Sequence, residues 1–173
     1  IPLRLFNALV TVEKYFDHPA NIVVDITPNI YSPSDCLKAA KSQDMHHHLL
    51  FLIGGKGIGY SYEQEEWTAL VKNIFYLQKD SQLPVTIVTS RRTDPIVEKK
   101  LQHELSSISS SYSAWYHKGD KNYNLAALFG SAKNIFVTED SAMMISESIS
   151  SGKPVTTLYP SCIKSPLRYE NHI

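Results

Sequence analysis

The sequence predicts an α/β chain built on an open, doubly wound parallel sheet. Two observations carry that prediction. Leu49-Leu-Phe-Leu-Ile53 is a short, wholly apolar run ending in Gly54-Gly55, the pattern of a strand buried on both faces. From there to about residue 160, β-rich runs alternate with helical patterns long enough to serve as crossovers between parallel strands.

The elements follow in order. After Ile53 comes a polar, Gly-rich stretch, then Glu63 to Lys79, where Trp67, Leu70, Val71, Ile74, Phe75 and Leu77 recur at helical spacing behind acids in the first turn. Pro84 to Thr89 is the next β-rich run. Ser90-Arg-Arg-Thr93 follows it, and Asp94-Pro95 starts a helix with proline in its first turn, carrying Ile96, Val97, Leu101 and Leu105. A serine cluster, Ser106–Ser113, marks a loop, and Ser113-Ala-Trp-Tyr116 reads as a weaker strand. Tyr123 to Ser131 is a short helix ending near Gly130. Asn134 to Thr138 is a strand, Ser141 to Ser151 a helix closed by Gly152, and Val155 to Leu158 the last strand. Right-handed crossovers between these strands give a Rossmann-like sheet, whose ligands sit at the carboxyl ends of the strands where the order reverses. Geometry alone thus directs attention to the loops after Ile53, Thr89 and Thr138.

Residues 1–44 stand outside the alternation. Leu3 to Phe16 reads as helical, Asn21 to Thr27 as a strand and Thr27 to Pro33 as a linker. Residues 1–44 could be the tail of a preceding domain or an added layer on this one. The first residues, Ile-Pro-Leu-Arg-Leu-Phe, lack both an initiator Met and the basic start of a signal peptide, and the chain reads as a fragment of something longer.

Composition narrows the function. The chain has 173 residues, 43% hydrophobic, with 17 basic and 17 acidic side chains. A formal net charge of +0 removes the electrostatic drive of a general nucleic-acid binder or a basic membrane-surface protein. No apolar run approaches the roughly 20 residues a membrane helix needs. Cys36 and Cys162 belong to no metal or redox spacing and read as free thiols of a reducing, cytoplasmic compartment. His46-His-His48 places His46 and His48 on one face of a strand entry, but no third ligand of suitable spacing follows, so no metal site is predicted.

The loop after Thr138 is the most informative. Asp140 or Ser141 is a natural helix N-cap, and the free amides of Ala142, Met143 and Met144 would face the carboxyl edge of the sheet, where a phosphate fits. Glu147, two turns in, could accept two hydrogen bonds from a ribose diol. The same residues equally suit a plain cap and a solvated acid. In Gly54-Gly-Lys-Gly-Ile-Gly59 the backbone can approach a ligand closely and Lys56 could reach a phosphate, yet the glycines match neither a dinucleotide fingerprint nor a P-loop, and a simple βα turn also fits. Ser90, Arg91 and Arg92 offer hydroxyl and guanidinium donors for phosphate, although adjacent arginines diverge and at most one is expected to reach a ligand; a surface ion pair is the alternative. Tyr60, Tyr62, Tyr112, Trp115, Tyr116 and Tyr123 are expected to pack rather than to form a base-stacking platform.

Three of these motifs carry a resemblance over about residues 49–160. Leu52-Ile-Gly-Gly55, Thr89-Ser-Arg-Arg-Thr93 and the run from Thr138 to Val155 resemble the C-terminal half of the mitochondrial fission "elongated mitochondria" protein family, itself similar to GT-B glycosyltransferases. The run from Ser141 through Glu147 to Gly152-Lys-Pro154 also resembles the donor helix of the N-acetylglucosaminyltransferase of peptidoglycan synthesis. The resemblance implies a nucleotide-sugar ligand, with no further cofactor, and would make residues 1–44 the end of a preceding domain plus a linker, 45–160 the nucleotide-sugar-binding domain and 161–173 a return segment. Gly54 and Gly55 would border an interdomain cleft, Ser141, Ala142 and Met143 would bind the diphosphate, and Glu147 would take the ribose hydroxyls. It also implies an N-terminal domain of the same protein as partner, and, for a fission factor, a peripheral membrane or protein partner. The chain departs from transferase patterns at Glu139-Asp140, where glycine or a basic residue is common; two acids there require pairing with Arg91 or Arg92. Three functions follow: donor binding in a glycosyltransferase without a metal-binding DxD motif, inactive in this chain alone; a non-catalytic interaction protein; or an epimerase-like hydrolase using Asp140 and His117.

Overall fold

The computed structural model describes residues 7–14, 16–57, 59–108, 110–120 and 122–161. In chain order these form β1 (Leu9–Thr11), β2 (Asn21–Val23), α1 (Pro33–Ser42), β3 (His48–Ile53), β4 (Lys56–Gly57), β5 (Tyr60–Ser61), α2 (Gln64–Ser81), β6 (Val85–Thr89), α3 (Pro95–Glu104), β7 (Ser110–Ala114), a 3-10 turn (Tyr116–Lys118), α4 (Leu125–Ser131), β8 (Ala132–Thr138), α5 (Ala142–Ser150) and β9 (Val155–Leu158). The predicted parallel sheet is present, five strands in the order β7-β6-β3-β8-β9.

Strand β3 is the centre, and every residue from His48 to Ile53 is buried. Its side chains alternate between two cores, as the pleat requires. Leu49, Phe51 and Ile53 pack with Trp67, Ile74 and Leu101 under α2 and α3. Leu50 and Leu52 pack with Leu128, Phe129 and Ile145 of α4 and α5 on the other face, where Cys36 of α1 joins them. Phe51 and Phe136 stack between neighbouring strands with ring centroids 4.6 Å apart.

The helices start where local chemistry says they should. Asp94 caps α3 by accepting the Ile96 amide at 2.8 Å, with Pro95 in the first turn. Glu63 caps α2 in a reciprocal box with Glu66. Asn124 accepts the Ala127 amide at 3.2 Å to open α4.

Three expectations need correction. Leu9–Thr11, read as part of a helix, pairs in parallel with Asn21–Val23; three-residue strands leave no period to find. The serine cluster expected to be a loop gives way from Ser110 to strand β7, which pairs in parallel with β6. The stretch from Pro33, to which the sequence pattern assigned no element, is a helix capped by Ser32, whose hydroxyl accepts the Asp35 amide at 3.2 Å. It crosses α4 so closely that a side chain on Gly130 would collide with the Cys36 carbonyl. Trp115 and Tyr116 leave the sheet, because β7 ends at Ala114 and the chain tightens into the 3-10 turn. The linker-like run from Thr27 lies along α5: the Thr27 amide donates to Ser146 Oγ at 3.1 Å and Asn29 Nδ2 to Ser150 Oγ at 2.9 Å. Cys162 and the rest of the expected return segment, except Ser161, lie outside the described residues. Among the described residues no helix is long and apolar enough to cross a membrane.

Candidate functional site

The sheet order reverses at β3, which has β6 on one side and β8 on the other. Loops leaving the two sides of such a point diverge and open a crevice at the carboxyl edge. The loops after Ile53 and Thr138 are tied there by the Gly54 amide, which donates to Thr138 Oγ1 at 2.7 Å. Only glycine fits: a Cβ on Gly54 would lie 2.5 Å from Asp140 Cγ and nearer still to both carboxylate oxygens.

Asp140 is fully buried, and among the described residues neither of its carboxylate oxygens accepts a hydrogen bond. A buried carboxylate without a counter-charge is costly. Arg92 supplies one: its Nη1 lies 3.6 Å from Asp140 Oδ2 and donates to the Asp140 carbonyl at 2.7 Å. Of the two acids Glu139 and Asp140, Asp140 thus finds its partner in Arg92, which is directed inward.

Arg91 goes the other way. With Ser90, Tyr116, Tyr123, Met144 and Glu147 it lines a cavity of about 230 Å³ floored by Leu52 and Val88. Glu147 is half-buried, and burial pushes its carboxyl above the ordinary carboxylate range. The phenols of Tyr31 and Tyr123 are pushed up as well, mainly by burial and secondarily by charges that include Glu147. Ser141 is buried and caps α5, its hydroxyl accepting the Met144 amide at 3.4 Å. The first turn of α5 thus points at the same edge, with Met143 exposed.

The predicted ligand residues divide into groups. Ser90, Arg91 and Glu147 share the larger cavity. Gly55, Lys56 and Arg92 line a separate one of about 120 Å³, with Tyr62, Trp67 and Val97. Gly54, Asp140 and Ser141 are buried, and Ala142 and Met143 open α5. Sequence reasoning assigned Tyr116 and Tyr123 to packing; they stand 38% and 37% exposed on the wall of the larger cavity. The available signal was position, since both follow β7, at the edge where ligands of such sheets bind. His48 is buried, with Nδ1 at 3.2 Å from the His46 carbonyl. Among the described residues no group of three or more His, Cys, Asp or Glu side chains could hold a metal ion. His117 Nε2 is bonded to the Thr93 carbonyl at 2.7 Å.

Comparison with known proteins agrees with the resemblance read from the motifs. An uncharacterized protein of Rickettsia prowazekii (strain Madrid E) is 29% identical over 111 residues, covering 63% of this chain and 30% of the relative. The chain therefore spans under a third of the length of that relative. No solved structure matches it. The sequence profile described as mitochondrial fission ELM1 matches residues 13–170, nearly the whole chain, and the chain belongs to that family.

Proposed function

We propose that this chain holds a nucleotide-diphosphate sugar in the cavity between Arg91 and Glu147, as the donor-binding part of a GT-B-like glycosyltransferase. The observation that carries the reading is the pairing of functions in one cavity: a guanidinium for phosphate and a half-buried carboxylate for a ribose diol line it together. Tyr116 and Tyr123 give the walls aromatic area for a base. Helix α5 begins beside them, and its first-turn amides add donors and a positive dipole end.

In that role the ribose rests on Glu147, and Arg91 and the α5 amides stabilise the negative charge that grows on the departing diphosphate. The acceptor and its general base belong to the N-terminal domain of the same protein, so this chain alone is inactive. The small sheet supports such a partner. Parallel strands are found covered on both faces, whereas Val10, Ile22 and Val23 of β1 and β2 are each about half exposed.

The same exposed row favours a second reading, a non-catalytic interaction protein that recruits a protein or membrane partner, in keeping with the fission role in the family's description. Calorimetric titration of UDP, GDP and UDP-sugars into this chain and a longer form separates the two. Donor binding predicts saturation by at least one nucleotide and a loss of about tenfold or more in Glu147→Ala. Absence of binding by both folded proteins would leave the interaction reading.

A further inference from the structure

The loop that presents Tyr116 has an unusual foundation. Strand β7 stops at Ala114, so the amides of Tyr116 and His117 leave the sheet and need acceptors elsewhere. They find them in a buried side-chain network. The Tyr116 amide donates to Thr89 Oγ1 at 2.8 Å, and the Thr89 hydroxyl donates to Glu98 Oε2 at 2.5 Å. The His117 amide donates to Glu98 Oε1 at 2.9 Å. Glu98 sits in the first turn of α3, 1% exposed.

The network continues to the next strand end. His117 Nε2 lies 2.7 Å from the Thr93 carbonyl, which can only accept, so the ring carries its proton on Nε2. Thr93 Oγ1 donates to the Ile53 carbonyl at 2.8 Å and accepts the Ser90 amide at 3.1 Å. The ends of β3, β6 and β7 are thus joined through Thr93, His117, Glu98 and Thr89. Bulk stability alone does not require a carboxylate here, since a well-packed apolar residue usually serves as well in a core. The contacts themselves indicate another role: besides a 3.5 Å bond that Glu98 Oε1 accepts from Gln102 Nε2 one turn on, they go to a loop amide and to the hydroxyl that holds the next one.

We infer that Glu98 is a positioning residue: its buried carboxylate fixes the loops after β6 and β7 and so holds Tyr116 and Arg91 on the wall of the cavity that Glu147 also lines. The inference rests on the ligand cavity proposed above for its purpose, but its physical core is independent of any ligand. Glu98→Ala removes both acceptor oxygens. Thr89→Val removes the acceptor of the Tyr116 amide at nearly constant volume, and it gives the same reading if Glu98→Ala does not fold.

The test is amide exchange by NMR on the full chain, followed by UDP titration. Exchange of the Tyr116 amide in Thr89→Val, and of the His117 amide in Glu98→Ala, should quicken by about tenfold or more while Phe51 and Leu52 in β3 stay slow. UDP affinity should fall by about tenfold or more in both variants. Unchanged loop exchange overturns the inference whatever UDP does. Quicker loop exchange with undiminished UDP affinity overturns it too. Quicker loop exchange in a protein whose wild type takes no UDP supports the fixture and sinks the donor-site reading instead.

Discussion

Replacing Gly54 with alanine places a methyl group against Asp140 at the crowded centre of the crevice. The new Cβ would lie 2.5 Å from Asp140 Cγ, where ordinary contact begins at 3.4 Å, so the two must separate by about 1 Å. Neither side yields freely. Gly54 is held by its 2.7 Å bond to Thr138, and the Asp140 carbonyl by its 2.7 Å bond from Arg92. Forcing an extra methyl into such a site costs about 1–3 kcal/mol, and straining one hydrogen bond adds about 1 kcal/mol, for a total of about 2–4 kcal/mol. That is a large share of a typical stability of about 5–15 kcal/mol. With a urea slope of about 2 kcal/mol/M, the middle of the usual range, the unfolding midpoint should fall by about 1–2 M. Asp140→Ala removes the carboxylate that the methyl meets and keeps the backbone carbonyl that Arg92 binds. In that background Gly54→Ala should cost at least about 1 kcal/mol less. Equal costs in both backgrounds, to within about 0.5 kcal/mol, would refute the collision.

Other perturbations follow from the same geometry. Arg92→Ala strips the buried Asp140 of its counter-charge and should lower stability by about 2–3 kcal/mol in urea unfolding, with Arg92→Ala/Asp140→Ala recovering part of the loss. Burial raises the Glu147 carboxyl, so the folded state keeps that proton to higher pH than the unfolded chain; its contribution is present below the ordinary value of 4.5 and lost as pH rises through the folded value. Glu147→Gln should therefore melt higher than wild type near neutral pH, with the advantage vanishing at about pH 4; a Gln variant no more stable at neutral pH would contradict this. Burial holds the His48 imidazole below its ordinary 6.5, so the unfolded chain takes up the proton first and stability declines as pH falls below about 6.5. His48→Leu should flatten that decline in urea midpoints measured across it.

The parallel sheet was legible because its central strand is apolar on both faces: from Leu49 to Ile53 there is no solvent side to interrupt the run. Helix starts were legible wherever a capping side chain stands beside proline or acids, as at Asp94-Pro95. Helix α1 was not, although Ser32-Pro33 is the same kind of start. Its buried residues are only Cys36 and Ala40, small because α4 approaches at Gly130, and small residues leave almost no apolar stripe. Trp115-Tyr116 was misread because aromatic side chains favour strands; what turns the chain there is Thr89 and Glu98, distant in sequence. Topology pointed to the edge where the Arg91–Glu147 cavity lies, since the rule about strand ends needs no residue identities. It could not divide Arg91 from Arg92. That division depends on where Asp140 is buried, which is a fact of packing.

The most direct measurement is the pattern of amide shifts on adding UDP to the isotopically labelled chain. Binding between Arg91 and Glu147 predicts saturable shifts at Leu52–Gly54, Val88–Arg91, Tyr116 and Ala142–Glu147, and none at His48 or Ser131 at the far end of the sheet. Shifts gathered instead around Tyr62, Trp67 and Tyr159, or no shifts up to millimolar nucleotide in this chain and in a longer form, would contradict a donor site in this cavity.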